Sequence, residues 1–409
     1  MPNQLEDHIM SDGHLPLADR ASGLVGSIID SSTALLARQT HDIVRFAMGA
    51  PSDDLIPVAL LDEYSARAVA GKYAYGQSEG EPALVEQIVK LQAEHGITTT
   101  DDRITVTTGG MQGLDLAFKL FVDPGDLVIV EGPTYTNGNA TALSYGADLL
   151  QAPLDDEGLV VEALPELVTR AGRTPKAIYT IPNFQNPSGV TQSQARRERL
   201  LELAEQWGSV IIDDDPYGLL RFDDSAVPTF TQLDPGNARV FSVRTFSKIL
   251  APGLRIGWVD GDPSLQPLLI NAKQAMDTCT SVPTQQTVTD FLAGGHLRPH
   301  LDRVLGLYRD RRDAMHAALN RHFGPTVQAT HPDGGFFLWI TFTDSTVDTQ
   351  ALFETALAEG VAYIPGPAFS VNDDFHNSLR LCFATSTPER IDEGVGRLKR
   401  AVDAAGAKR

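Results

Sequence analysis

A lysine, two hydroxyls and an arginine lie close together in residues 241–260, FSVRTFSKILAPGLRIGWVD. Thr245, Ser247, Lys248 and Arg255 sit between or beside two apolar runs, 240–243 and 254–259. Each run has the length and content of a buried strand. A lysine held between strands must find partners or give up its proton. Such an amine suits Schiff-base formation with a carbonyl. Arg255 carries a planar fork that matches a dianionic phosphate. An isolated Ser-Lys pair reads more plainly as a surface connection, so the rest of the chain has to decide.

Other strand ends supply the remaining chemistry. Residues 108–113, TGGMQG, open a helix, and free backbone N–H groups with the helix dipole suit a phosphate there. Alone, this is a tight glycine turn. The stretch EGPTY offers Tyr135, which can stack on a planar ring or simply pack. The stretch IPNFQNPSG is a turn by composition and presents the Asn186 amide. Asp213, Asp214 and Asp215 end another strand, with Tyr217 close behind. Three adjacent carboxylates are costly there unless something cationic compensates.

These groups need a scaffold that gathers them. Short apolar strands at 103–107, 127–130, 148–152, 177–181 and 210–213 alternate with helices at 114–121, 136–145, 161–171 and 193–207. The two strands around Lys248 and a helix from Pro263 follow. This alternation predicts an α/β fold, a mostly parallel sheet with helices on both faces. Ligands in such sheets bind beyond the carboxyl ends of the strands. Earlier in the chain, 1–20 reads as a loose arm, 24–36 as a helix, and 45–51 as a short strand entering a turn. Helices are expected at 58–70 and 82–95, with the two tyrosines of YAYGQSEGEP between them. The tail reads as a long helix over 297–322, a hairpin over 327–343, a helix over 351–359, strands at 361–364 and 379–383, and a terminal helix over 388–405. We divide the chain into a segment 1–50, a large domain 51–295 and a smaller α+β domain 296–409, against which the N-terminal arm packs.

Together the strand ends offer a phosphate cradle, a stacking ring, an amide, a carboxylate–tyrosine pair and an amine. Pyridoxal 5′-phosphate needs those groups. Over nearly its whole length, from GAPSDDLIP at residue 49 to the terminal helix, the chain resembles the fold-type I pyridoxal-phosphate aminotransferases. Within them it is similar to the 2-aminoadipate and kynurenine aminotransferases. The resemblance rests on YAYGQSEGEPAL, TTGGMQGLD, EGPTY, IPNFQNPSG, DDDPYG, TFSKILAPGLRIGW and SLRLCFA.

That resemblance implies roles. Lys248 would bond the cofactor aldehyde as an internal aldimine and then move the proton between Cα and C4′. Asp214, three residues before Tyr217, would keep the pyridine nitrogen protonated. Tyr217 and Asn186 would hydrogen-bond O3′, and Tyr135 would stack on the ring. Thr245, Ser247, Arg255 and the Gly110 and Met111 amides would hold the phosphate. Tyr75 would reach the phosphate in a neighbouring subunit, which implies a homodimer with composite sites. Arg380 would clamp the substrate carboxylate, with Asn186 beside it. The family's phosphate turn usually carries Ser-Gln, where this chain has Gly110-Met111. Relatives that take aminoadipate present an arginine from the early helix. Ile29 falls near that place here, with Arg20 and Arg38 nearby and out of register. An acidic substrate side chain is therefore unsupported, and an apolar or aromatic one equally open.

The expected activity is transfer of an amino group from an L-amino acid to a 2-oxo acid through pyridoxamine phosphate. Elimination, replacement or another carbanion-derived reaction uses the same lysine and ring and stays open. A ligand-sensing domain of a transcription regulator is a third class. The family-like part starts within the first twenty to fifty residues, leaving no room for a winged helix. The formal charge of −20 also opposes a nucleic-acid surface. The ten histidines show no metal spacing, so no metal is expected. Cys382 reads as a core thiol, and Trp258 and Trp339 as packing residues. With two cysteines, no signal peptide and no membrane-length apolar stretch, the chain fits the reducing cytoplasm.

Overall fold

The computed structural model describes residues 18, 21, 24, 26, 41–67, 71–223 and 226–407. The arm expected over 1–20 and the helix over 24–36 fall almost wholly outside them, as do Arg20, Ile29 and Arg38. The strands, in chain order, are β1 (Val44–Arg45), β2 (Ile104–Thr107), β3 (Leu127–Gly132), β4 (Asp148–Asp155), β5 (Gly158–Leu159), β6 (Ala177–Thr180) and β7 (Val210–Asp214). There follow β8 (Val240–Thr245), β9 (Gly257–Asp260), β10 (Val327–Ala329), β11 (Phe337–Phe342), β12 (Val361–Ala362), β13 (Ile364–Pro365) and β14 (Ser378–Cys382).

Eight of these form the main sheet, in the order β2-β9-β8-β7-β6-β3-β4-β5. Strands β4, β3, β6, β7 and β8 run parallel, as the strand–helix alternation predicts. β9 is antiparallel to both β2 and β8. The carboxyl ends of β2, β3, β6, β7 and β8 therefore share one edge.

Period-two alternation sorts the side chains of these strands between two cores. Val128, Val130, Ala177, Tyr179, Val210, Ile212, Phe241 and Val243 belong to one. Ile129, Ile178, Ile211 and Val240 belong to the other, with Leu200 and Leu203 of the helix Gln194–Trp207. Both faces are thus dry, and each buried Ile or Val contributes about 1.5–3 kcal/mol. This is why β3 and the first part of β7 read as continuous apolar runs, whereas β8 is interrupted by Ser242 and Arg244.

The helix expected over 114–121 starts four residues earlier, at Gly110–Phe121. Its cap, Gly109, has φ 75°, and a Cβ there would run into the Arg255 guanidinium. Glycine lets the chain turn from β2 straight into the helix, which brings its N-terminus to the carboxyl edge. The turn chemistry at Gly109 outweighed the apolar spacing that placed the start at Leu114.

The smaller, antiparallel sheet has the order β10-β11-β14-β13. The long helix Leu297–His322 lies where the apolar spacing puts it. The single strand expected over 361–364 is instead split. β12 pairs with β1 in a separate two-stranded sheet, and β13 pairs with β14. The chain changes sheets at Tyr363, whose buried hydroxyl donates to the Thr349 carbonyl. Apolar content does not report which neighbour a strand pairs with.

Candidate active site

A cleft of about 240 Å³ lies along the carboxyl edge of the main sheet and is closed by the smaller one. Lys248, Asp214, Tyr217, Gly110, Met111, Tyr135, Asn186, Thr245, Ser247, Arg255 and Arg380 all line it. These residues come from five strand ends of one sheet and from β14 of the other. Tyr75 does not line it and is 88% exposed.

One end of the cleft is built from donors. Thr245 Oγ1 donates to Ser247 Oγ at 2.9 Å and accepts from the Ser247 amide at 3.1 Å. Arg255 has φ 51°, a left-handed backbone uncommon for a non-glycine residue. This conformation sends its guanidinium back beneath Gly109, where Nη1 lies 3.4 Å from Ser247 Oγ. The free N–H groups of the Gly110–Phe121 helix open on the same place.

Lys248 follows β8 in a turn, and its Nζ donates to the Gly49 carbonyl at 2.6 Å. Burial lowers its pKa to about 8, with Arg380 adding to the fall and Asp214 opposing it. Asp214, across the cleft, is pushed up to about 7 by burial. A hydrogen bond from Tyr179 Oη at 2.8 Å holds it down in part, while Asp213, Asp215 and Glu131 push it further up. Among the described residues no cation pairs with Asp214, whereas Asp213 and Asp215 both pair with Arg244. The compensating cation that three adjacent carboxylates require therefore serves only two of them.

Arg380 is buried on β14. Its Nη1 donates to Asn186 Oδ1 at 2.9 Å and its Nη2 to the Ala47 carbonyl at 2.6 Å. The guanidinium lies over the Phe337 ring, 4.3 Å from its centroid, and has Nε unpartnered. It keeps donors for an anion while its plane is held. Tyr217 stands edge-on to Phe337, 5.8 Å between centroids.

Gly49, Tyr179, Arg244 and Phe337 were not singled out by the sequence pattern. Tyr179 had one available signal: alternation on β6 puts it on the same sheet face as Asp214. Glu131, quoted only within its motif, is also pushed up to about 7 by burial. It accepts from Thr180, Gln185 and the Ile181 amide, which ties the loops bearing Tyr135 and Asn186 together.

The donor set fits pyridoxal 5′-phosphate. The helix N-terminus, two hydroxyls and a guanidinium match its dianion. A buried carboxyl without a cation matches its ring nitrogen, and a half-buried amine of lowered pKa matches its aldehyde. No helix among the described residues is long and apolar enough to cross a membrane.

Comparisons with known proteins agree with that chemistry. Residues 41–398 match the family model described as aminotransferase class I and II. The chain is 38% identical over 394 residues to an aromatic-amino-acid aminotransferase of Thermococcus litoralis, covering 94% of this chain and 93% of that one. It is similar to the kynurenine aminotransferase of Pyrococcus horikoshii in complex with PMP, with TM-score 0.89 and 36% identity over 97% and 99% of the two chains. The α-aminoadipate aminotransferase of Thermus thermophilus, complexed with N-(5′-phosphopyridoxyl)-L-leucine, aligns with TM-score 0.87 and 32% identity over 96% and 98%.

Proposed function

The chain belongs to the aminotransferase class I and II family, and we propose that its amino donor is an L-amino acid with an aromatic side chain. The protein is a pyridoxal-phosphate-dependent aminotransferase. Family and relatives favour transamination over elimination or replacement. The observation that carries the assignment of roles is the presence, in one cleft, of the half-buried Lys248 amine and the Asp214 carboxyl, which no cation pairs among the described residues.

When bound, pyridoxal phosphate supplies an aldehyde that takes the amino group and a ring that accepts the electron pair released at Cα. The protein does the rest. Arg380 grips the substrate carboxylate with its free donors, Asn186 fixing the guanidinium plane. Lys248 Nζ, whose lowered pKa of about 8 makes its neutral form accessible near physiological pH, would take the Cα proton and return it. Asp214, its carboxyl fixed by Tyr179, would hold a proton on the ring nitrogen. Tyr217 and Asn186 line the cleft where they would hydrogen-bond O3′, and Tyr135 would cover the ring. Thr245, Ser247, Arg255 and the Gly110 and Met111 amides would anchor the phosphate.

An aromatic side chain is favoured by Leu114, Ile181 and Phe337, which give the cleft an apolar wall, and by the aromatic relative. Rapid mixing with L-phenylalanine, L-kynurenine and L-2-aminoadipate should convert the bound cofactor to its amine form fastest with the first two. Faster conversion by 2-aminoadipate would overturn the aromatic assignment. Arg380→Ala should raise KM for every donor roughly 100-fold, the loss of charge-assisted hydrogen bonds, while kcat falls less. An unchanged KM would remove Arg380 from the carboxylate site.

We also infer a homodimer. Tyr73 and Tyr75 are 87% and 88% exposed, and Tyr75 would complete a partner's phosphate site. The two cysteines are free, which suits the cytoplasm. Sedimentation should give the mass of two chains, and Tyr75→Phe should loosen cofactor retention in an intact dimer. A fully active monomer would exclude the composite site.

A further inference from the structure

Asp213 and Asp215 share the sheet face of Ile211, while Asp214 faces the cleft with the parity of Val210 and Ile212. On β8 the same parity puts Ser242 and Arg244 opposite the outer two carboxylates. Arg244 is buried; its Nη1 donates to Asp215 Oδ2 and its Nη2 to Asp213 Oδ2 at 3.2 Å. Ser242 Oγ adds a donor to Asp213 at 2.7 Å. Asn183 Nδ2 and the Gly218 amide add donors to Asp215 at 2.9 and 2.8 Å. Arg197 and Arg221 lie in the same region but use their donors elsewhere. Arg197 bonds Asn183 Oδ1 and the carbonyls of Pro182, Gln192 and Pro228, and Arg221 pairs with Asp223.

We propose that Arg244 is a positioning residue for Asp214: by clamping the carboxylates on either side, it aims Asp214 into the cleft and shields it from their charge. This rests on the reading that Asp214 faces the cofactor ring. One fork spanning residues i and i+2 holds the strand end extended, so the intervening side chain must point the other way. It also offsets in part the two like charges beside Asp214, which still raise its proton affinity with Arg244 in place. The other groups facing Asp214 are Tyr179 and Glu131 from β6 and β3, and Tyr217 and Lys248 from the flanking loops. Of these only Lys248 carries a positive charge, and it faces Asp214 across the cleft with its hydrogen bond made to the Gly49 carbonyl, so it does not span the outer two carboxylates.

The test uses pyridoxamine phosphate, which cannot bond covalently to Lys248, titrated into cofactor-free protein at neutral pH. Arg244→Gln should weaken binding about tenfold for each unit by which the proton affinity of Asp214 rises. Arg244→Lys, whose single ammonium cannot span both carboxylates, should fall between. Adding Asp213→Asn and Asp215→Asn to Arg244→Gln should restore near-wild-type binding, because no charge is then left to compensate. A packing role would leave the triple variant as weak as the single one, and that result overturns the proposal. So does wild-type binding by folded Arg244→Gln. If Arg244→Gln does not fold, the triple variant decides alone: near-wild-type binding supports the proposal, and a loss of about tenfold or more overturns it. Asp214→Asn measured alongside separates the two readings. Should it also bind like wild type, the placement of the ring at Asp214 has failed.

Discussion

Lys248→Ala should give a folded protein that holds pyridoxal phosphate without a covalent bond and has lost nearly all turnover. Removing a positioned base costs about 10²–10⁴-fold, and loss of the covalent link to the cofactor adds to it. Borohydride treatment followed by peptide mapping should fix the cofactor to the Lys248 peptide in wild type and to none in the variant. A variant that keeps both the fixed cofactor and the turnover would refute the assignment. Stability gives a second readout. The folded pKa of about 8 lies below the ordinary 10.5, so between these values the unfolded chain binds more protons. The cofactor-free wild type should therefore gain stability as pH rises from about 8 to 10.5, by about 3 kcal/mol from this group. Lys248→Ala should lack that rise, and below pH 8 it should be relieved of the buried ammonium, offset by a small cavity.

Asp214→Ala should keep the covalent bond to Lys248 but slow proton removal at Cα by about 10²–10³, the usual loss when one preorganised electrostatic partner is removed. Single-turnover mixing with a good donor isolates that step, and a normal rate would exclude the role. Here the stability sign is opposite to that of Lys248. Asp214 is raised from 3.8 to about 7, so between these values the folded protein binds the extra proton. Cofactor-free wild type should lose about 4 kcal/mol from this group as pH climbs through that window. A ring nitrogen that brings a proton to Asp214 compensates the charge, so the stabilisation conferred by cofactor should grow over the same range. In Asp214→Asn both slopes should flatten. If thermal unfolding of wild type and Asp214→Asn shows the same pH dependence, the carboxyl is not the buried, uncompensated group the cleft shows.

The fold and most of the cleft were legible in the chain itself. Both-face burial makes β3, β6, β7 and the start of β8 read as apolar runs, and each ends in polar residues that are ordinary turns singly and a ligand site only when taken together. Lys248 with Thr245, Ser247 and Arg255 is the densest such end. Boundaries were less legible where turn chemistry or pairing overrides composition. The helix at Gly110 starts early because Gly109 adopts a left-handed backbone, and the chain at Tyr363 changes sheets without any change in its apolar content.

By itself the sequence determined the order of strands and helices, the residues waiting at the carboxyl edge, and the class of ligand they suit. These follow from alternation, turn residues and side-chain chemistry, which act over a few positions. Only the tertiary structure decided which of three adjacent aspartates stays without a cation. Arg244 reaches Asp213 and Asp215 from the next strand, and strand parity turns Asp214 away from it toward Tyr179 and the cleft. It also brought Arg380 from the second sheet onto Asn186. Charge compensation and dehydration depend on neighbours remote in sequence: the proton affinity of Asp214 is set by burial with Tyr179 and Glu131 from other strands of its sheet, and that of Lys248 by burial and by Arg380 from the second sheet.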